Sequence, residues 1–115
     1  MRIFVTGAAG QVGSHVVDSA IARGDEVVGI DNFATGREAH VATSSRYNFV
    51  NGSISDTALV DRLISEFKPD VIVHTAAAYK DPDDWLTDVE TNVRGMVNLV
   101  NAAKAVSVGR FVYFQ

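Results

Sequence analysis

The chain has 115 residues, of which 47% are apolar, with no cysteine and a net charge of −4. That length allows one domain with a feasible core, burying about two-thirds of the unfolded surface, and a mean hydropathy of +0.09 argues against a disordered chain. An acidic balance without a lysine/arginine run speaks against a nucleic-acid surface, the missing thiols exclude disulfides and cysteine nucleophiles, and no leader pattern or membrane-length apolar run is present, so the expected compartment is the cytoplasm.

Arg2-Ile3-Phe4-Val5-Thr6 is a β-branched and aromatic run that stops at Gly7, the pattern of a buried strand. Val12, Val16, Val17, Ala20 and Ile21 then recur at helical spacing, and Gly24 stands where a helix C-terminal glycine belongs. Val27 to Ile30 is a second strand, ending at Asp31. Asn32 to Ser45 is polar and reads as loop with a short helix. Tyr47 to Val50 is a third strand. Asp56 is placed to cap a helix carrying Leu59, Val60, Leu63, Ile64 and Phe67, which ends before Pro69. Val71 to His74 is a fourth strand. Pro82 precedes a long helix, to about Val106, with Trp85, Leu86, Val89, Val93, Met96, Val97, Val100 and Ala103 on one side. After Gly109, Arg110 to Phe114 is a fifth strand.

The strands are continuous apolar runs that alternate with helices, which predicts an α/β fold with a parallel sheet covered on both faces. A Rossmann-like strand order of 3-2-1-4-5 is expected, cut after the fifth strand, with residues 1–115 forming one domain.

Gly7, Gly10 and Gly13 fall between the first strand and the first helix. A helix N-terminus offers unpaired amides and partial positive charge to a phosphate, provided that no side chain intervenes. Gly7 then permits the tight turn, Gly10 the approach of a pyrophosphate, and Gly13 the close packing of helix on strand. The spacing is G-x-x-G-x-x-G rather than the commoner G-x-G-x-x-G, and alone it also fits a turn with two incidental glycines. Asp31, 31 − 13 = 18 residues past the last glycine, sits where an acidic group would hold a ribose and repel a 2′-phosphate, favouring NAD over NADP; the alternative is a turn aspartate. Arg37 nearby either softens that preference or is a solvated loop arginine. His74 lies at a strand end, where α/β sites form, yet a lone histidine there is more often structural. His15 and His40 have no partner at ligand spacing, so no metal site is expected.

The stretch Thr6-Gly7-Ala8-Ala9-Gly10-Gln11-Val12-Gly13 followed by Asp31-Asn32 resembles the extended short-chain dehydrogenase/reductases, over the whole chain. Within them it is most similar to NAD-dependent nucleotide-sugar epimerases and dehydratases. DNFATGRE, NGSISD and HTAAAYKDPDDW resemble bacterial surface-polysaccharide (O-antigen) sugar epimerases, which implies a UDP-sugar 4-epimerase type in lipopolysaccharide biosynthesis. The resemblance implies that Gly7, Gly10, Gln11 and Val12 line the pyrophosphate. Asp31, Asn32, Thr35 and Gly36 would meet the adenosine ribose and its phosphate, and Ser53-Ile54 the adenine. The family's usual aspartate is replaced by Ser53, so a hydroxyl or a neighbour would take over its contact. Ala76, Ala77 and Ala78 would flank the cofactor, although alanines also fill tight cores. Lys80 would touch cofactor or sugar nucleotide. Asn92 would shape the active site, against the alternative of an asparagine facing solvent.

The resemblance also implies hydride transfer between a sugar carbon and nicotinamide, with a tyrosine base and a lysine four residues later that lowers its pKa. No Tyr-x-x-x-Lys occurs: Asn51 follows Tyr47 and Asp83 follows Tyr79 at that interval, and Tyr113 would need a residue past Gln115. No catalytic residue is therefore expected in this chain, which reads as the cofactor-binding N-terminal part of a longer enzyme, inactive alone. The full-length protein would be a homodimer built through two helices per subunit, the Pro82–Val106 helix being one candidate. A non-catalytic NAD(P)-binding sensor on the same fold stays open.

Overall fold

The computed structural model describes residues 1–78 and 81–114. Five parallel strands, β1 (Arg2–Thr6), β2 (Glu26–Asp31), β3 (Tyr47–Asn51), β4 (Val71–His74) and β5 (Arg110–Tyr113), form one sheet in the order β3-β2-β1-β4-β5. Val5 pairs with Gly29 on one side and Val73 on the other. This is the expected order. It follows from right-handed crossovers that step one way from β1 to β3 and the other way from β4 to β5.

Alternation along β1 sends its side chains to two cores. Ile3 and Val5 meet Val27, Val73 and the Val17 and Ala20 side chains of α1 (Gln11–Arg23). Phe4, fully buried, meets Ile30, Ile72 and the helices α2 (Thr57–Phe67) and α4 (Gly95–Ala105) through Val60, Ile64 and Leu99. Both faces of the central strands are thus covered, which is why their sequences carry no polar alternation. Truncating Phe4 to alanine would cost about 3–5 kcal/mol.

Local chemistry sets the helix ends. Gly24, at φ 88, turns the chain out of α1 while its amide and that of Asp25 close on the Ile21 and Ala20 carbonyls. Asp56 caps α2 by accepting from the Leu59 amide at 3.1 Å.

The helix expected from Pro82 is different in detail. It begins at Trp85, where Asp84 accepts from the Thr87 amide; Pro82 lies in the preceding turn. It runs as α3 (Trp85–Asp88), a wider π-helical segment (Val89–Arg94) and then α4. The apolar stripe read from the sequence mostly does not face the core: Trp85, Leu86, Val89, Val93, Val97 and Val100 are exposed. The core side consists of Gly95, Asn98, Leu99, Ala102 and Ala103. Small residues serve there because Gly95 abuts Ile54. Among the described residues no helix is long and apolar enough to cross a membrane.

Candidate functional site

The turn between β1 and α1 explains its glycines one by one. Gly7 adopts φ +66, and a Cβ there would lie 2.6 Å from Thr75 Oγ1 and 2.9 Å from the Ala76 amide nitrogen. A Cβ at Gly13 would overlap the Gly7 carbonyl. One at Gly10 would meet only the Gly7 oxygen, at 3.2 Å. Gly7 and Gly13 therefore let turn and helix close, while Gly10 keeps the mouth of the turn clear. Gly10 begins α1 without a side-chain cap, and Ser14 is the first residue whose amide bonds back into the helix, to Gly10 at 3.0 Å. The amides of Gln11, Val12 and Gly13 thus stand at the positive end of a helix with no acidic residue in its first turn.

Asp31 ends β2 beside this turn. Its Oδ2 accepts from the Ala9 amide at 2.9 Å and its Oδ1 from the Phe33 amide at 2.7 Å. These bonds orient the carboxylate and leave each oxygen further acceptor capacity. Asn32 accepts from the Ala34 amide through Oδ1. The following loop is fastened to the glycine turn, because the Ala9 carbonyl accepts from the Arg37 amide at 3.0 Å and from His40 Nδ1 at 3.1 Å. Since a carbonyl only accepts, this His40 nitrogen carries the proton. Gly36 fits against Ala9 and the Asp31 carboxylate at distances that no side chain would permit.

At the end of β3, Ser53 turns its hydroxyl into its own turn. It accepts from the Ser55 amide at 3.1 Å and shares a hydrogen bond with the Ser55 hydroxyl at 2.8 Å. Ile54 is buried.

At the end of β4, Thr6 Oγ1 accepts from the Thr75 and Ala76 amides, both at 3.1 Å. Its proton goes to His74 Nδ1 at 2.6 Å. His74 is 1% exposed and stacks on Tyr113 at 5.3 Å. Burial holds its pKa down to about 4, so the ring is neutral and accepts at Nδ1. This is the structural role that a lone histidine suggested. Asn92, in the π segment, is exposed, and its amide is bonded to backbone: it donates to the Ala78 carbonyl and accepts from the Ala78 amide, both at 2.9 Å. Lys80 lies outside the described residues.

These ends share one open cleft of about 890 Å³. Its wall includes Gly7, Gly10, Gln11, Val12 and Gly13 at the centre, and Asp31, Asn32 and Thr35 beside them. Ser53 and Ile54 stand at the β3 end, and Ala76, Ala77 and Ala78 at the β4 end. Gly36 and Asn92 are not in the wall and act on wall residues from behind. Arg37 lines the cleft, as do Thr87 and Thr91, two residues that the sequence reading missed. It also missed Asn98, whose only signal was an amide inside the apolar run of α4.

A cleft across the carboxyl ends of a parallel sheet, with free helix amides at its centre and an anchored carboxylate beside them, defines a Rossmann-like dinucleotide-binding fold. More specifically, the chain belongs to the NAD dependent epimerase/dehydratase family, whose description matches residues 3–115. Among curated relatives it is 40% identical to a UDP-glucose 4-epimerase of Mycolicibacterium smegmatis, covering 98% of this chain and 38% of the relative. It is also 40% identical to UDP-glucuronic acid decarboxylase 1 of Arabidopsis thaliana, covering 92% and 24%. The Bordetella bronchiseptica enzyme WbmH, solved in complex with NAD+, superimposes with a TM-score of 0.97 at 57% identity, over 99% of this chain and 38% of that one. WbmG of the same organism, solved with NAD and UDP, gives 0.97 at 43%, over 100% and 37%. The chain thus spans less than two-fifths of the length of these relatives.

Proposed function

We propose that this chain is the NAD-binding portion of a nucleotide-sugar epimerase or dehydratase. One observation carries the reading: the cleft joins the open amides of α1 to the Asp31 carboxylate in a single surface. A pyrophosphate would lie on Gly7, Gly10, Gln11 and Val12. The adenosine ribose would bond to Asp31, with Asn32, Thr35 and Gly36 shaping its seat. The base would then lie beyond Asp31, against Ser53 and Ile54. The Ser53 hydroxyl is bonded to Ser55 and keeps one further donor or acceptor position, so contact there would come from it, from the backbone and from Ile54. The nicotinamide would extend towards Ala76, Ala77 and Ala78, the last of which Asn92 holds. Bound there, NAD would supply a hydride acceptor and donor. Asp31 would repel a 2′-phosphate, so NAD is preferred to NADP.

A UDP-sugar is the favoured substrate class, supported by the relatives named above, and surface-polysaccharide synthesis in the cytoplasm is the favoured setting. The 115 residues hold no Tyr-x-x-x-Lys pair. In this reading they bind cofactor, and proton transfer from the sugar hydroxyl belongs to groups outside them; the chain alone is expected to be inactive. The exposed apolar face of α3, the π segment and α4 supports self-association in the full-length protein.

The test is calorimetric titration of the folded chain with NAD and, separately, NADP. Saturable binding that prefers NAD supports the reading. Folded chain without dinucleotide binding overturns it. Binding of NAD by a full-length protein that leaves every UDP-sugar unchanged would favour a sensor instead.

A further inference from the structure

We propose that Asn98 is a positioning residue for the adenine end of the cleft, acting on the Ser53–Thr57 turn through Ile54. This rests on the reading that a dinucleotide lies along the cleft with its base at the β3 end.

Asn98 is 6% exposed and lies beside Leu99 and Ala102 on the core side of α4. A polar group at such a position is costly unless fully bonded, and an apolar residue would fill the space without that cost. Its amide is bonded at both ends. Nδ2 donates to the Ile54 carbonyl at 2.9 Å, and Oδ1 accepts from Thr57 Oγ1 at 3.0 Å. Ile54 lies in the short passage from β3 to α2, and Thr57 is the first residue of α2. One helical turn earlier, Gly95 lets the Ile54 side chain lie directly on the helix; a Cβ at that position would overlap Ile54 Cδ1. Helix α4 therefore grips both the carbonyl and the side chain of one residue in the cleft wall.

The rest of the turn is held locally. Asp56 donates its amide to the Ser53 carbonyl, and Ser55 donates its amide to the Ser53 hydroxyl. Among the described residues, Asn98 makes the side-chain hydrogen bonds that tie this turn to α4, while Asp56 caps α2 through the Leu59 amide. Without the Asn98 bonds, the Gly52 amide would still fix the start of the turn to the Asp31 carbonyl, and Ile54 would lose its placement against α4. The base would then be misaligned, while the Ala76–Ala78 end, held by Thr6 and Asn92, would stay in place.

The test compares ligands that occupy different ends. Binding of NAD, AMP and nicotinamide mononucleotide to the chain is followed by amide chemical shifts. Asn98→Ala is expected to weaken AMP and NAD about tenfold and to leave the mononucleotide within about twofold. Thr57→Val removes one bond without emptying the core and should weaken AMP selectively, whereas Thr57→Ser, which keeps the hydroxyl, should restore it. If the parent binds all three ligands and the Asn98 and Thr57 variants lose AMP and mononucleotide alike, or lose neither, the assignment of Asn98 is overturned alone. If the parent binds none of them, the reading of the cleft falls and takes this assignment with it.

Discussion

Asn92 brackets the peptide of Ala78: its Nδ2 donates to the Ala78 carbonyl and its Oδ1 accepts from the Ala78 amide, both at 2.9 Å. The two residues lie on different elements, so the pair fixes the strand-β4 loop to the π segment. Asn92→Leu removes both bonds. Because Asn92 is exposed, the expected loss of stability is only about 1–2 kcal/mol. Hydrogen exchange at the Ala78 amide should nevertheless rise at least about tenfold, and NAD should bind more weakly. Unchanged exchange would show that the loop is held by something else.

The glycines separate by function. Gly13→Ala drives a Cβ into the Gly7 carbonyl and should cost about 1–3 kcal/mol, read as a lower Tm. Gly10→Ala meets only a 3.2 Å contact. It should fold with a Tm near that of the parent and still lose NAD affinity, because the added methyl stands at the mouth of the turn. Loss of folding in both would remove the distinction.

Asp31 combines anchoring and charge. Asp31→Asn keeps an acceptor for one of the two amides and removes the negative charge. NAD affinity is expected to fall about tenfold while NADP falls less, narrowing the preference between them. Parallel titrations of both dinucleotides measure this, and an unaltered ratio would deny the carboxylate a role at the ribose.

His74 makes stability depend on pH. Folded His74 stays neutral down to about pH 4, against 6.5 for the free side chain. Between these values the unfolded chain binds the extra proton, so stability falls as pH drops through that window and levels off below it. The contribution is about 3 kcal/mol in full. Urea unfolding at pH 7 and pH 4.5 reads it, and His74→Gln should flatten the profile by that share.

The exposed valines of the long helix invite association. Val97, 51% exposed, contributes little to the fold of the single chain. Val97→Glu should leave the Tm of a dilute sample within about 0.5 kcal/mol of the parent. Self-association, followed by sedimentation, should weaken. An unchanged sedimentation profile would place any interface elsewhere.

Much of this was legible in local spacing. The glycine interval, the position of Asp31 and the Asp56 cap are short-range patterns, and the structure places all three at the strand and helix ends where the spacing puts them. The long helix was harder. Apolar periodicity shows that Trp85, Val89, Val93 and Val97 share a side, but not whether that side meets the core, and Gly95 and Asn98 give no apolar signal for the side that does. Asn92 was marked by the family resemblance, but its partner was not legible. Its partner is a backbone peptide, and the widened turn that aims it leaves no periodic mark. For Ser53 the sequence offers a free hydroxyl; only the turn geometry shows it shared with Ser55.

The π segment has a consequence for heredity of the fold. Each α-helical residue advances the side chains by roughly 100°, and a wider turn advances them by less. Val89–Arg94 therefore works as a phase adjuster between Asn92, which meets Ala78, and Asn98, which meets Ile54. Loss of a single residue here would tighten the turn and set one asparagine out of step with its loop. Substitutions can accumulate along this helix, but a one-residue deletion between the two asparagines would leave one end of the cleft without its hold.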